Sequence, residues 1–167
     1  MSKAVYPGTF DPITYGHLDV IQRGAAVFDH LTVAVGANPE KVPIFTVQER
    51  VDMIRQIVEE LGLENVSVDS YRGMTVNYVR NIDARVILKG MRTVSDFENE
   101  FQQALTNRVL AKDVETFFVM TKQEFAFFRA TSVKEIVRLG GDVRPFVPPL
   151  VEERLRAKLG VPRPQQQ

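Results

Sequence analysis

Cysteine is absent from the 167 residues. That excludes a disulfide scaffold, a thiol nucleophile and a cysteine-based zinc site. Histidine is scarce: His17 and His30 are the two in the chain, too few for a multi-histidine metal centre. Net charge is missing as well, since 21 Lys and Arg balance 21 Asp and Glu. The balance gives no support for a nucleic-acid binder relying on a strongly basic surface, although local cationic clusters remain open. No segment approaches the roughly 20 apolar residues of a membrane span, and the N-terminus lacks a basic region followed by a long apolar run. We read a cytoplasmic chain with neither a nucleic-acid nor a membrane partner. Its length suits one domain, residues 1–160, with 161–167 as a flexible tail.

What is present alternates. Short β-branched runs at Ala4–Tyr6, Leu31–Val35, Val66–Val68, Arg85–Leu88 and Thr116–Met120 are separated by helical periods. The first strand is expected to end at Pro7-Gly8. The second is almost wholly apolar, as in a strand buried on both faces of a parallel sheet. A helix from about Gly16 to Phe28 carries Leu18, Ile21, Ala25 and Phe28 on one face. Thr46 and Glu49 form a capping-box pattern ahead of a stripe of Val51, Ile54, Val58 and Leu61, ended by Gly62. Further helices are predicted over Thr75 to Ile82 and Val151 to Leu159. Capping boxes at Ser95/Glu98 and Ser132/Glu135 are expected to open two more, which end near Leu110 and at Gly140-Gly141. Five strands alternating with helices imply an α/β fold, a doubly wound five-stranded parallel sheet.

Ligands of such sheets bind beyond the carboxyl ends of the strands, at the switch point. The segments there hold Thr9-Phe10 and His17, then Lys41, then Lys89-Gly90-Met91-Arg92, then Phe125 to Thr131. Three cations and a histidine around one pocket suit a polyanion, with phosphates the natural choice. Pro7-Gly8 lets backbone approach a ligand. Thr14-Tyr15-Gly16-His17 leads into the first helix, whose N-terminus offers N–H groups and a favourable dipole to an anion. His17 can donate Nε2–H to a phosphate oxygen. From its chemistry alone it is equally readable as a polar first-turn residue facing water.

The run Tyr6-Pro7-Gly8-Thr9-Phe10-Asp11-Pro12-Ile13-Thr14-Tyr15-Gly16-His17 resembles the opening of bacterial phosphopantetheine adenylyltransferases. Its Thr-x-Gly-His is their form of the His-x-Gly-His motif of the nucleotidylyltransferase superfamily. Further matches follow in order: Asn38-Pro39 with Lys41, Pro43 and Phe45-Thr46; Asn77 and Arg80-Asn81; Gly90-Met91-Arg92 with Asp96-Phe97-Glu98 and Glu100; and Val133-Lys134-Glu135. The resemblance spans roughly residues 3 to 159. It implies the Rossmann-like nucleotidylyltransferase fold, and transfer of the adenylyl group of ATP to 4′-phosphopantetheine, giving dephospho-coenzyme A and pyrophosphate. It also implies Mg²⁺ held mainly by phosphates and waters with no protein ligand, coenzyme A as a feedback ligand, and a homohexamer.

By the same resemblance, Thr9 and His17 contact the reacting phosphates and Lys41 holds the acceptor phosphate. Met74, Thr75 and Lys89 face the acceptor. Phe10, Gly90, Met91, Arg92 and Glu100 face ATP, as does the segment Phe125, Ala126, Phe127, Phe128, Arg129, Ala130 and Thr131. His17, Lys41 and Arg92 are the expected catalytic residues. Bland roles stand beside these: Arg92 could pair with Asp96 or Glu98, Glu100 could be an exposed helix carboxylate, and the phenylalanines could be core. Two departures stand out. Lys89 replaces a usual arginine, and Arg129-Ala130-Thr131 occupies a site where consecutive serines are common; we expect Arg129 to make up part of their lost hydrogen bonding. An adenylyltransferase for another phosphorylated acceptor and a non-catalytic nucleotide-binding module are the competing readings.

Overall fold

The computed structural model describes residues 1–37 and 42–164. Five strands, β1 (Lys3–Gly8), β2 (His30–Gly36), β3 (Val66–Tyr71), β4 (Val86–Met91) and β5 (Glu115–Met120), form one sheet in the order β3-β2-β1-β4-β5. Every pairing is parallel. The helices are α1 (Tyr15–Val27), α2 (Val47–Glu60), α3 (Thr75–Asn81), α4 (Val94–Leu110), α5 (Ala130–Arg138) and α6 (Pro149–Leu159), with a 3₁₀ turn over Gln123–Phe125.

Side chains alternate across the sheet with a period of two. Ala4, Tyr6, Leu31, Val33 and Val35 point to one face, where they meet α1, α2, α5 and α6. Val5, Ala34 and Ile87 point to the other, where Val76 and Val79 of α3 cover them. This is the doubly wound α/β sheet read from the sequence. Strand order reverses between β1 and β4, and that pair's ladder is short: Ala4 opposes Val86 and Val5 opposes Ile87. Beyond Val5 the strands part, and the gap is the switch-point crevice. β1 does not stop at Tyr6 as expected. Pro7 and Gly8 stay paired with Ala34 and Val35 of β2, and Pro7, which has no N–H to donate, lies past the last β4 partner.

α1 lies close over β4. A Cβ on Gly24 would stand 2.6 Å from Leu88 Cδ2, and one on Gly90 2.8 Å from Val20 Cγ2, so these two glycines set the helix–sheet distance. The Thr46/Glu49 capping box is present: Glu49 N–H donates to Thr46 Oγ1 at 3.1 Å and Thr46 N–H to Glu49 Oε2 at 2.8 Å. The other two expected boxes are not. α4 starts earlier, on Thr93, whose hydroxyl accepts from Asp96 N–H at 3.4 Å, while Ser95 Oγ bonds to Thr93 Oγ1 at 2.8 Å. α5 starts at Ala130 behind Arg129, which makes no side-chain cap. Ser132 is thus already inside the helix. Leu61, read as part of the α2 stripe, is exposed, and the buried face takes Arg50, Met53 and Ile57 as well. Val161 packs against the core, and Pro162 O accepts from Arg156 Nη1 at 3.2 Å, so the chain is held that far past α6.

Candidate active site

A cleft of about 520 Å³ opens where β1 and β4 part. Its walls come from the segments after β1, β2, β4 and β5. Of the residues singled out in the sequence, the fold brings Thr9, Phe10, His17, Lys89, Gly90, Arg92, Glu100, Phe128, Arg129, Ala130 and Thr131 to these walls. Met91, Phe125, Ala126 and Phe127 lie off them. Met91 O instead accepts from Thr121 N–H at 2.9 Å, Phe125 stacks on Tyr15, and Phe127 is 76% exposed. A second cleft, of about 690 Å³, is bounded by Met74 and Thr75 at the start of α3 and by polar residues of α4. Lys89 lines both clefts. Lys41 lies outside the described residues, as do Asn38 and Pro39.

Thr14 caps α1, and His17 completes the cap. Its backbone N–H donates to Thr14 Oγ1 at 3.4 Å, and its ring Nδ1 accepts from Thr14 N–H at 3.0 Å. An imidazole nitrogen that accepts from a backbone N–H carries no proton, so the neutral ring holds its proton on Nε2. Burial, then the nearby Arg92 charge, push the ring's pKa from 6.5 down to about 4. His17 is therefore a neutral Nε2–H donor at physiological pH, and the Phe10 ring packs edge-on against it at 5.0 Å between centroids.

The N-terminus of α1 offers the anion less than expected. Tyr15 N–H is taken by Phe146 O at 2.9 Å and His17 N–H by Thr14. The stronger candidate is α5: the described residues supply no acceptor for the N–H groups of Ala130, Thr131 and Ser132, and Ala130 and Thr131 line the cleft. An uncapped helix start facing a cleft is an anion site by the same dipole argument.

The cations are held by carboxylates. Asp96 forms an ion pair with Arg92 Nε at 3.2 Å and accepts from Arg129 Nη2 at 3.2 Å, while Arg92 Nη1 donates to Phe128 O at 3.3 Å. The pairing of Arg92 with Asp96 and its position on the cleft wall thus coexist. Lys89 Nζ stands 3.5 Å from Glu100 Oε2, a buried oxygen with no hydrogen-bond partner among the described residues.

The sequence reading missed Asp11 and Lys134. Asp11 is buried and accepts from Ile44 N–H at 2.9 Å, Phe45 N–H at 3.0 Å and Lys134 Nζ at 2.8 Å. Lys134 lies about one helical turn past Ala130, a spacing that puts both on one helix face and could have flagged it. Tyr6 also floors the cleft, and burial holds its phenol well above its ordinary pKa. Asp19, buried on α1, accepts from Lys122 N–H at 3.3 Å and anchors the start of the segment that leads to Arg129.

Residues 5–136 match the cytidylyltransferase-like family. The phosphopantetheine adenylyltransferase of Carboxydothermus hydrogenoformans is 51% identical over 158 residues, covering 95% of this chain and 96% of that protein. That of Desulforudis audaxviator is 52% identical over 161 residues, covering 96% and 98%. This chain belongs to the phosphopantetheine adenylyltransferase family. A Plasmodium falciparum nicotinic acid mononucleotide adenylyltransferase, solved with NaAD, superposes with a TM-score of 0.71 over 94% of this chain and 95% of that one. At 14% identity the likeness is one of fold alone. In this phosphopantetheine adenylyltransferase family member, Lys89 stands at the junction of the two clefts and Arg129 is tied to Asp96.

Proposed function

We propose that this enzyme transfers the adenylyl group of ATP to 4′-phosphopantetheine, in coenzyme A biosynthesis, with the residues of the two clefts in the following roles. The observation that carries the reading is identity near one half with phosphopantetheine adenylyltransferases over almost the whole chain.

An oxygen of the acceptor's phosphate attacks the α-phosphorus of ATP. The bond from that phosphorus to the bridging oxygen breaks, and pyrophosphate leaves. The nucleophile is already ionised, so no general base is needed. The barrier lies in bringing anions together and in the charge on the five-coordinate phosphorus, which placement and preorganised donors lower. His17 Nε2–H, Thr9, Arg92 and the start of α5 receive the triphosphate. The pantetheine arm lies along Met74 and Thr75, so that its phosphate meets ATP beside Lys89, with Lys41 as its second cation. Phe10, Gly90, Glu100 and the segment Phe128 to Thr131, which line the cleft, hold the nucleotide, in part through backbone.

Mg²⁺ suits this site as an ion arriving on the nucleotide. Among the described residues no group of three His, Cys, Asp or Glu is placed to hold a metal, and Mg²⁺ keeps most of its shell as water and phosphate oxygen. When bound it neutralises charge on the phosphates. Coenzyme A, which contains the product's atoms, is the expected feedback ligand of the same clefts. We further propose assembly as a homohexamer in the cytoplasm. Support for assembly comes from α4, which buries none of its residues in the single chain and exposes Phe97, Phe101 and Leu105 along one face.

The test is pyrophosphate release from ATP and Mg²⁺ with phosphopantetheine, nicotinate mononucleotide or no acceptor. Turnover is expected with phosphopantetheine, and His17→Ala should lower kcat by about 10²-fold or more. A normal rate in His17→Ala would sink the mechanism, and preference for nicotinate mononucleotide would sink the substrate.

A further inference from the structure

Arg50 lies on the buried face of α2 and is 2% exposed. Among the described residues no carboxylate pairs with it. Its guanidinium donates instead to carbonyl oxygens: Nε to Phe45 O at 3.1 Å and Thr46 O at 3.2 Å, Nη1 to Thr9 O at 2.8 Å and Gly36 O at 3.4 Å. Those oxygens belong to the turn after β1, the end of β2 and the start of α2. A buried charge is costly to keep, and this one is spent on backbone at the rim of the cleft.

The turn it holds is strained. Phe10 has φ of +49°, the left-handed region that bulky side chains avoid. Such a conformation persists only where its surroundings fix it. The Phe10 ring is wedged between Tyr6 and His17, Asp11 is pinned by Ile44 and Phe45, and Thr9 O is pinned by Arg50. The Arg50 arm is the tie nearest Thr9.

We infer that Arg50 is a positioning residue of the transfer reaction, whose guanidinium holds the Thr9 turn in the shape that faces the reacting phosphates. The inference rests on the adenylyl-transfer reading above. Arg50 touches no substrate; it acts through Thr9. A displacement of that turn by about 1 Å is of the size that costs roughly 10²-fold in rate.

Arg50→Gln is the sharp test. The Gln Nε2 occupies the position of the Arg Nε and keeps a donor toward Phe45 and Thr46, while the arm to Thr9 and Gly36 is lost. Steady-state turnover with ATP and phosphopantetheine is compared with thermal melting. Arg156→Lys serves as the control, because Arg156 is equally buried but bonds to Glu152, Gly141 and Pro162, away from the cleft. The expected result is a loss of about 10- to 100-fold in kcat, with KM for phosphopantetheine changed much less, and a larger kcat loss than in Arg156→Lys at a comparable fall in melting temperature. If Arg50→Gln does not fold, Arg50→Lys, which keeps the charge without the fork, takes its place. Activity within twofold of wild type, equal kcat losses in Arg50 and Arg156 variants of equal stability, or failure of both Arg50 variants to fold would each overturn the inference. No turnover of phosphopantetheine by the wild type would instead sink the reading on which it stands, and the inference with it.

Discussion

His17 gives its two ring nitrogens different tasks. Nδ1 closes the cap of α1, and this fixes the proton on Nε2. Because burial and Arg92 lower the folded pKa to about 4 from 6.5, the ring stays neutral across the working range. ¹⁵N–¹H correlation spectra should show the Nε2–H tautomer at pH 7 and no titration of this ring above about pH 5; a midpoint near 6.5 would contradict the assignment. The sign for stability follows. Between about 4 and 6.5 the unfolded chain binds a proton at this residue that the folded chain does not. Stability therefore rises with pH through that window and is lost as pH falls through it. Arg129 poses a different question. It shares Asp96 with Arg92, so removing it leaves Asp96 bound to Arg92 alone. Arg129→Ala should raise KM for ATP by about three- to tenfold, the size of one ordinary hydrogen bond, since the Arg129 side chain is more than half exposed. An unchanged KM and kcat would assign Arg129 to the surface.

At the scale of elements, the close approach of α1 to β4 makes a sharp prediction. Leu31 and Leu88 are fully buried and cannot swing aside from a side chain at position 24. Gly24→Val should destabilise the fold by roughly 2–3 kcal/mol through overpacking, read as a lower urea midpoint with an unchanged slope. Loss of less than 0.5 kcal/mol would show that α1 can lift off the sheet at no cost. The helix starts also separate the legible from the illegible. Thr46 and Glu49 were readable because the box lies within four residues. The Ser95 and Ser132 boxes failed because the helix begins where backbone geometry and a competing hydroxyl allow: Thr93 outcompetes Ser95, and α5 opens at Ala130 with no side-chain cap. Helical periodicity marked Val51, Ile54 and Val58 as core. It could not mark Arg50, since a charged residue on a buried face becomes sensible only once its carbonyl partners, distant in sequence, are known.

For the whole molecule, the apolar face of α4 is the test of assembly. Phe97 and Phe101 stack with ring centroids 5.5 Å apart and are each nearly half exposed. Light scattering should give six times the 18.9 kDa chain mass, and Phe101→Glu should shift the protein to a smaller species by placing a charge in a closed contact. A wild-type monomer would remove this proposal and leave the catalytic reading intact.

By itself the sequence determined the sheet, its succession of helices and the family to which the chain belongs. Those follow from local signals: two-residue and 3.6-residue hydrophobic periods, breaker residues, and a twelve-residue run from Tyr6 to His17. Tertiary structure alone decided which strand ends part to make the cleft, that Lys89 stands between two clefts, and that Asp11, Lys134 and Arg50 brace the wall where Thr9 lies. Each of those depends on hydrogen bonds or ion pairs between residues far apart in the chain, such as Asp11 with Lys134 and Arg50 with Thr9. No local pattern encodes such a partnership, because its geometry exists only after the core has closed.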